Sequence, residues 1–196
     1  MKLKIATSQF PVSEFIEENF KHIQNQIQEA KINGCDLIHF PECSLSGYAG
    51  IDFPSFENFN WELLKIKSLE ILELAKRENI WVILGSSHKL NEPHKPHNSL
   101  YIIDNSGKII DRYDKLFCAG DDTYKSNDLA YFSSGNHFSF FEVNGVKCSV
   151  QICHDYRYPE LYRELKKNNV QVVFHSYHAG NMNVERKEMM QSSFIP

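Results

Sequence analysis

A carboxylate, an ammonium and a thiol occupy equivalent places in this 196-residue chain. Each follows a short apolar run that reads as a β-strand: Glu42 after residues 36–40, Lys115 after residues 108–113, and Cys153 after residues 146–152. A cysteine thiol is intrinsically nucleophilic but mostly protonated at neutral pH, with a free pKa of about 8.5. A nearby lysine cation favours the thiolate, and a carboxylate can take its proton. Attack on an amide carbonyl creates an oxyanion, which Lys115 and a backbone N–H just after Cys153 could hold. Glu42 could then protonate the departing amine and later activate water against the thioester. Ligands of open α/β sheets bind beyond the carboxyl ends of strands, so three groups delivered to such ends can meet although they are distant in sequence.

The elements that must do the positioning follow from periodicity and punctuation. A strand over residues 3–9 closes at Phe10-Pro11. A helix then opens with Ser13 as N-cap and Glu14, Glu17 and Glu18 in its first turn. Its apolar stripe is Ile16, Phe20, Ile23, Ile27 and Ala30, and Asn33-Gly34 stops it. After the strand over 36–40, a second helix spans 61–77, a buried strand spans 80–86, and residues 91–98, with Pro93 and Pro96, form a loop. Two hairpins follow. Residues 100–104 pair with 108–113, and residues 138–143 pair with 146–152 across Asn144-Gly145, a type I′ turn signal. The stretch 116–136 between them is polar and irregular, as active-site loops often are. Pro159 opens a helix to about Asn168, residues 170–174 form a further strand, and Val184 starts a helical pattern that the chain end cuts off. Strands alternating with helices and interrupted by hairpins predict an α/β layered fold with mixed sheets, in one domain over residues 1–196.

Composition narrows the functional classes. Apolar residues make up 42% and charged residues 23%, with a net charge of −4, so no basic field invites a nucleic acid. No apolar run is long enough to cross a bilayer, and the opening Met1-Lys2-Leu3-Lys4-Ile5 lacks a secretory core, so no membrane partner is expected. Five cysteines without a CxxC pair suit free thiols in a reducing compartment, and a cytoplasmic location is the expectation.

The stretches around the three reactive residues carry more than their chemistry. They are Phe40-Pro41-Glu42-Cys43-Ser44-Leu45-Ser46-Gly47-Tyr48, Arg112-Tyr113-Asp114-Lys115-Leu116-Phe117, and Ile152-Cys153-His154-Asp155-Tyr156-Arg157-Tyr158-Pro159-Glu160. In this order they resemble the three motifs of the nitrilase superfamily, the carbon–nitrogen hydrolases, and within it the amidase-like branches. Gln9 at the end of the first strand matches the family's opening, so the resemblance covers essentially the whole chain. It implies an α-β-β-α sandwich, a Glu42–Lys115–Cys153 catalytic triad, and thioester catalysis on small non-peptide amides. It also implies no metal or organic cofactor, and homodimers formed through a helical face. Hydrolysis of nitriles or carbamoyl compounds is the same chemistry on another electrophile, and the triad does not separate the three. The backbone N–H of His154 takes the second oxyanion position by the same resemblance.

Two departures from the family pattern bear on function. Many members carry a second glutamate in the loop after the lysine, and the matching position here, counted back from Gly135, is Asp128. The family also continues beyond this C-terminus with a helix, further strands and a dimer-forming tail, so the chain reads as C-terminally truncated. An inactive truncated remnant that acts as a binding protein is therefore the competing reading. Of the remaining residues, Tyr177 and His178 lie beyond another strand end and are expected to line a substrate pocket. Cys43, Cys118 and Cys148 read as structural, Arg157 and Glu160 as an ion pair or loop brace, and Tyr48 as packing. His154, His175 and His178 match no standard zinc-ligand spacing. A papain-like protease would need a histidine base in a context that none of these provides.

Overall fold

The computed structural model describes residues 2–120 and 128–178. Its elements are β1 (Ile5–Thr7), α1 (Ile16–Ile32), β2 (Leu37–His39), α2 (Trp61–Glu78), β3 (Trp81–His88), β4 (His97–Ile103), β5 (Ile109–Asp114), α3 (Asp128–Tyr131), β6 (Phe140–Val143), β7 (Val146–Ile152), a 3₁₀ turn (Cys153–Arg157), α4 (Pro159–Lys167) and β8 (Val172–Ser176). The helical pattern expected from Val184 onward lies outside the described residues. Strands β1 to β5 form one mixed sheet in sequence order, with β1, β2 and β3 parallel and β4 and β5 added as antiparallel neighbours. A second sheet holds β6, β7 and β8, with β7 and β8 parallel and α4 as their crossover.

The two sheets pack face to face, and the period-2 alternation of strand side chains decides what each face sees. Leu37, Ile83, Leu100, Ile102 and Tyr113 of the first sheet meet Phe141, Val143, Val150, Ile152 and Phe174 of the second in one buried cluster. Their neighbours along the strands, Ile38, Val82, Leu84 and Ile103, point the other way, onto α1 and α2. Burying each such aliphatic side chain is worth about 1.5–3 kcal/mol. The apolar stripe expected on α1 is the buried one, with Ile23 and Ile27 fully inaccessible. Leu161 and Leu165 are the buried residues of α4. The layers are helix, sheet, sheet, helix, the α-β-β-α sandwich that the resemblance implies.

Local signals succeeded where the chain supplied its own partner. Asn144 (φ 52°) and Gly145 (φ 78°) make the β6–β7 turn, the double positive φ of a type I′ hairpin. Asn60 caps α2 by accepting the Leu63 N–H at 2.9 Å, and Pro159 opens α4. The expected Ser13 cap is not formed, because α1 begins at Ile16. The Ser13 hydroxyl instead accepts the Phe15 N–H at 3.2 Å, while the buried Asn19 side chain accepts the Ser13 N–H at 2.9 Å and donates to its carbonyl at 2.8 Å. A side chain inside the helix thus fixes the entry of the chain, and the serine turns it.

Candidate active site

Because β5 is two antiparallel steps removed from β3, it runs in the same direction as β2, and the two strands end at the same edge of the first sheet. The second sheet brings its strand ends to that edge too. At the ends of β2 and β8, His39 Nε2 lies 2.6 Å from Ser176 Oγ, which donates to the Phe40 carbonyl at 3.0 Å. Since that hydroxyl has only one hydrogen, His39 must be the donor in the first contact. Burial pushes the His39 pKa down to about 4, keeping the ring neutral. Glu42, Lys115, Cys153 and His178 therefore leave strands that end in one crevice.

There they meet. Lys115 Nζ is fully buried and donates to Glu42 Oε1 at 2.8 Å and to Asp128 Oδ2 at 2.6 Å. Burial alone would lower its pKa, but the two carboxylates outweigh that and hold it well above the ordinary lysine value. Glu42 is also fully buried. Its Oε1 accepts from Asn98 Nδ2 at 2.7 Å and its Oε2 accepts the His178 N–H at 2.9 Å. Asp128 is pinned by the Ala119 N–H at 2.8 Å and by the Tyr48 hydroxyl, both of which donate to it. The Tyr48 ring stands 6.0 Å from Lys115 Nζ.

Cys153 opens the 3₁₀ turn after β7 with φ of 40°, a backbone conformation that L-residues other than glycine seldom adopt. Burial first, and then the Glu42 charge, push its pKa up, while Lys115 pulls it down. The resting sulfur is a thiol poised beside a base. Cys153 is partly accessible. Asp155 staples the turn, accepting the Ile152 N–H at 3.0 Å, the Phe117 N–H at 2.9 Å and the Tyr113 hydroxyl at 2.7 Å.

The remaining expected site residues divide. The His178 imidazole turns to Asp52, with Nε2 at 3.1 Å from Oδ2, and packs 5.0 Å from the Tyr48 ring. Tyr177 donates its hydroxyl to His175 Nδ1 at 3.2 Å. His154 is partly exposed, and burial, then Arg157 and Lys115, lower its pKa. The His175 and His178 rings turn to different partners, the Cys153 carbonyl and Asp52, while the His154 ring stands edge-on to Tyr158 at 5.9 Å. Of the two alternatives for Arg157 and Glu160, the ion pair is not formed: Glu160 stands 4.0 Å from Arg163, and Arg157 Nε donates to the Tyr156 hydroxyl at 3.4 Å. All five cysteines are free, and burial pushes the Cys118 and Cys148 thiols up to about 11.

Four supporting residues escaped the sequence reading. Asn98, inside the loop expected over 91–98, is the second residue of β4, an antiparallel strand whose N-terminal end reaches Glu42. Tyr48, expected to pack beside the Gly47 turn, donates its hydroxyl to Asp128. Asp52 gave no signal at all. Gly85 did: a glycine inside a strand often marks a close backbone approach. A Cβ there would lie 2.0 Å from the Pro41 carbonyl oxygen and 2.9 Å from the Cys43 nitrogen, the two residues that flank Glu42.

Comparison with known proteins places the chain. A family profile described as carbon–nitrogen hydrolase matches residues 4–193, and the chain belongs to that family. It is 31% identical over 166 residues to deaminated glutathione amidase of Dictyostelium discoideum, a match covering 80% of this chain and 57% of that protein. It is 30% identical over 177 residues to 2-oxoglutaramate amidase of Bacillus subtilis (strain 168), covering 89% and 64%. The chain thus spans roughly three fifths of these relatives' lengths. Among solved structures, an amidase from Nesterenkonia sp. superposes with a TM-score of 0.78 at 20% identity, over 91% of this chain and 66% of that one, which confirms the fold. Among the described residues no helix is long and apolar enough to cross a membrane.

Proposed function

We propose that this chain hydrolyses the carbon–nitrogen bond of small non-peptide amides through a thioester on Cys153. The observation that carries this reading is the buried Lys115 ammonium bridging Glu42 and Asp128, with the charges of Glu42 and Lys115 both acting on the Cys153 thiol. Glu42 takes the thiol proton as sulfur attacks the amide carbon, and the oxyanion forms against Lys115 Nζ and the His154 N–H. Collapse of the tetrahedral intermediate breaks the C–N bond, and Glu42 passes its proton to the leaving nitrogen, which departs as ammonia or an amine. Water then enters, gives a proton to Glu42, and attacks the thioester. The acid leaves, and the proton returns to sulfur.

In this reading Asp128 takes the part of the second glutamate that the family resemblance implies and holds Lys115 together with Glu42. His178 and Tyr177 border the acyl pocket, His178 also through its N–H on Glu42. A carboxylate that anchors a lysine while a backbone amide orients it is suited to repeated proton transfer, because its donors fix its position in every step. Relatives named as amidases favour amides over nitriles and carbamoyl compounds as the substrate class. Homodimers formed through a helical face and a cytoplasmic location belong to the same proposal.

The test is ammonia release from a panel of amides, carbamoyl compounds and nitriles, for the wild type and Cys153→Ala. Turnover of at least one amide, abolished by the substitution and accompanied by an acyl mass adduct on Cys153, is the expected result. Turnover that survives Cys153→Ala would refute the nucleophile.

A further inference from the structure

The proposed chemistry needs the His154 N–H aimed at the oxyanion, and a neighbouring histidine holds the peptide that carries it. His175, on β8 beside the end of β7, has Nε2 at 3.0 Å from the Cys153 carbonyl oxygen. A carbonyl can only accept, so Nε2 carries the hydrogen and the tautomer follows. Nδ1 is then the acceptor, and it faces the Tyr177 hydroxyl at 3.2 Å and the Tyr162 hydroxyl at 3.5 Å. The Tyr177 ring lies against the imidazole with centroids 4.3 Å apart. The ring is thus fixed from both nitrogens and one face. Burial pushes its pKa down to about 4, so it stays neutral near pH 7.

The carbonyl of Cys153 and the N–H of His154 belong to one planar trans peptide, in which the two bonds point in opposite directions. Holding the carbonyl on His175 therefore sends the His154 N–H the other way. That N–H lies in the first turn of the 3₁₀ segment, where the helix supplies no acceptor of its own. A donor on the carbonyl oxygen also polarises the amide and strengthens its N–H as a donor. From this arrangement we infer that His175 is a positioning residue for oxyanion stabilisation, acting through the 153–154 peptide, with Tyr177 fixing its tautomer. The inference rests on the thioester mechanism proposed above and adds a residue to it. It also gives Tyr177 a second task, behind the nucleophile.

The experiment separates oxyanion formation from sulfur reactivity. His175→Phe keeps the ring and loses the donor, whereas His175→Gln keeps an N–H near the position of Nε2. In the full chain, His175→Phe should lower kcat for the best amide by about ten- to a hundredfold, with KM changed less than about threefold. Alkylation of Cys153 by iodoacetamide, a displacement that forms no oxyanion, should stay within about twofold of wild type. His175→Gln should recover most of the lost kcat. An aldehyde analogue of the substrate, which forms a tetrahedral adduct on sulfur, should bind His175→Phe more weakly by a factor like that of the kcat loss. Unchanged kcat in His175→Phe would overturn the inference. So would parallel loss of alkylation and turnover, since that reports a collapsed turn. A wild type with neither turnover nor aldehyde adduct would instead overturn the thioester mechanism, and the role of His175 with it.

Discussion

Replacing Glu42 by glutamine removes one charge and, just as importantly, one acceptor from a site whose donors are already placed. Lys115 Nζ and Asn98 Nδ2 converge on Oε1 at 2.8 and 2.7 Å, and the His178 N–H points at Oε2 from 2.9 Å. A glutamine amide has a single oxygen, so whichever way it flips, its NH₂ faces a donor on one side. Leaving a buried donor unsatisfied costs about 1–3 kcal/mol. Lys115 also loses one of its two anions, and breaking a buried ion pair costs about 3–5 kcal/mol when nothing replaces it. Asp128 remains, which places the expected loss of stability near the lower end, about 3 kcal/mol, readable from urea denaturation. Turnover should fall by a factor of about 10²–10⁴, since the base is gone.

The sulfur should respond in the opposite sense. The Glu42 charge is among the causes holding the Cys153 thiol up, and Lys115 is the group pulling it down. Without Glu42 the thiol pKa falls, and the thiolate fraction at neutral pH rises about tenfold for each unit of fall. A less basic thiolate is also a weaker nucleophile, with a Brønsted slope of about 0.4–0.5, so the net gain in alkylation rate is about threefold per unit. Glu42→Gln should thus alkylate faster with iodoacetamide at pH 7, with its pH midpoint shifted down, while amide hydrolysis collapses. Alkylation and hydrolysis falling together, or hydrolysis within about threefold of wild type, would refute this account of Glu42.

Three further outcomes follow from the geometry. In Asp128→Asn, three donors (Tyr48 hydroxyl, Lys115 Nζ and Ala119 N–H) face a side chain with one acceptor oxygen, so kcat/KM should drop by about 10²; Tyr48→Phe, which removes one donor, should cost only a few-fold, and an equal loss in both variants would contradict the ordering. Gly85→Ala should lower kcat by about a hundredfold, because the strand or the Pro41–Cys43 backbone must move by about 1 Å to admit the methyl group, and wild-type kcat in that variant would show that this contact does not place Glu42. The third concerns acid stability. The folded pKa of His39 is about 4, below an unfolded value near 6.5, so the native state binds fewer protons between those pH values and loses stability as pH falls from 6.5 to 4, by up to about 3 kcal/mol. His175 carries a shift of the same sign and size. His39→Gln, which can still donate to Ser176, should remove roughly half of the acid limb that this pair contributes, measured by urea denaturation at pH 7 and 4.5; an unchanged limb would contradict the assignment.

Much of the architecture was legible because it is written in local and periodic signals. The stripe on α1, the Asn144-Gly145 turn and the proline opening α4 each depend on residues close in sequence, and each appears where periodicity or turn chemistry places it. The Ser13 cap failed for a reason no local rule holds, since the competing partner is Asn19, whose side chain also donates to the Leu45 carbonyl at 3.2 Å from within the buried layer. The strand expected from residue 100 begins earlier, at His97, because Pro93 and Pro96 mask its onset and only pairing with β3 reveals it.

The chemistry of the site divides in the same way. Residue type and strand-end position made Glu42, Lys115 and Cys153 candidates, and the three ordered motifs around them, through their resemblance to carbon–nitrogen hydrolases, singled them out. Only the tertiary structure decided that Lys115 is shared between Glu42 and Asp128, that Tyr48, Asn98 and Asp52 gather around them, and that His175 holds the carbonyl of Cys153. Those relations are distances between strands of two different sheets. They are set by how the two apolar faces pack together, and no spacing along a single chain encodes them.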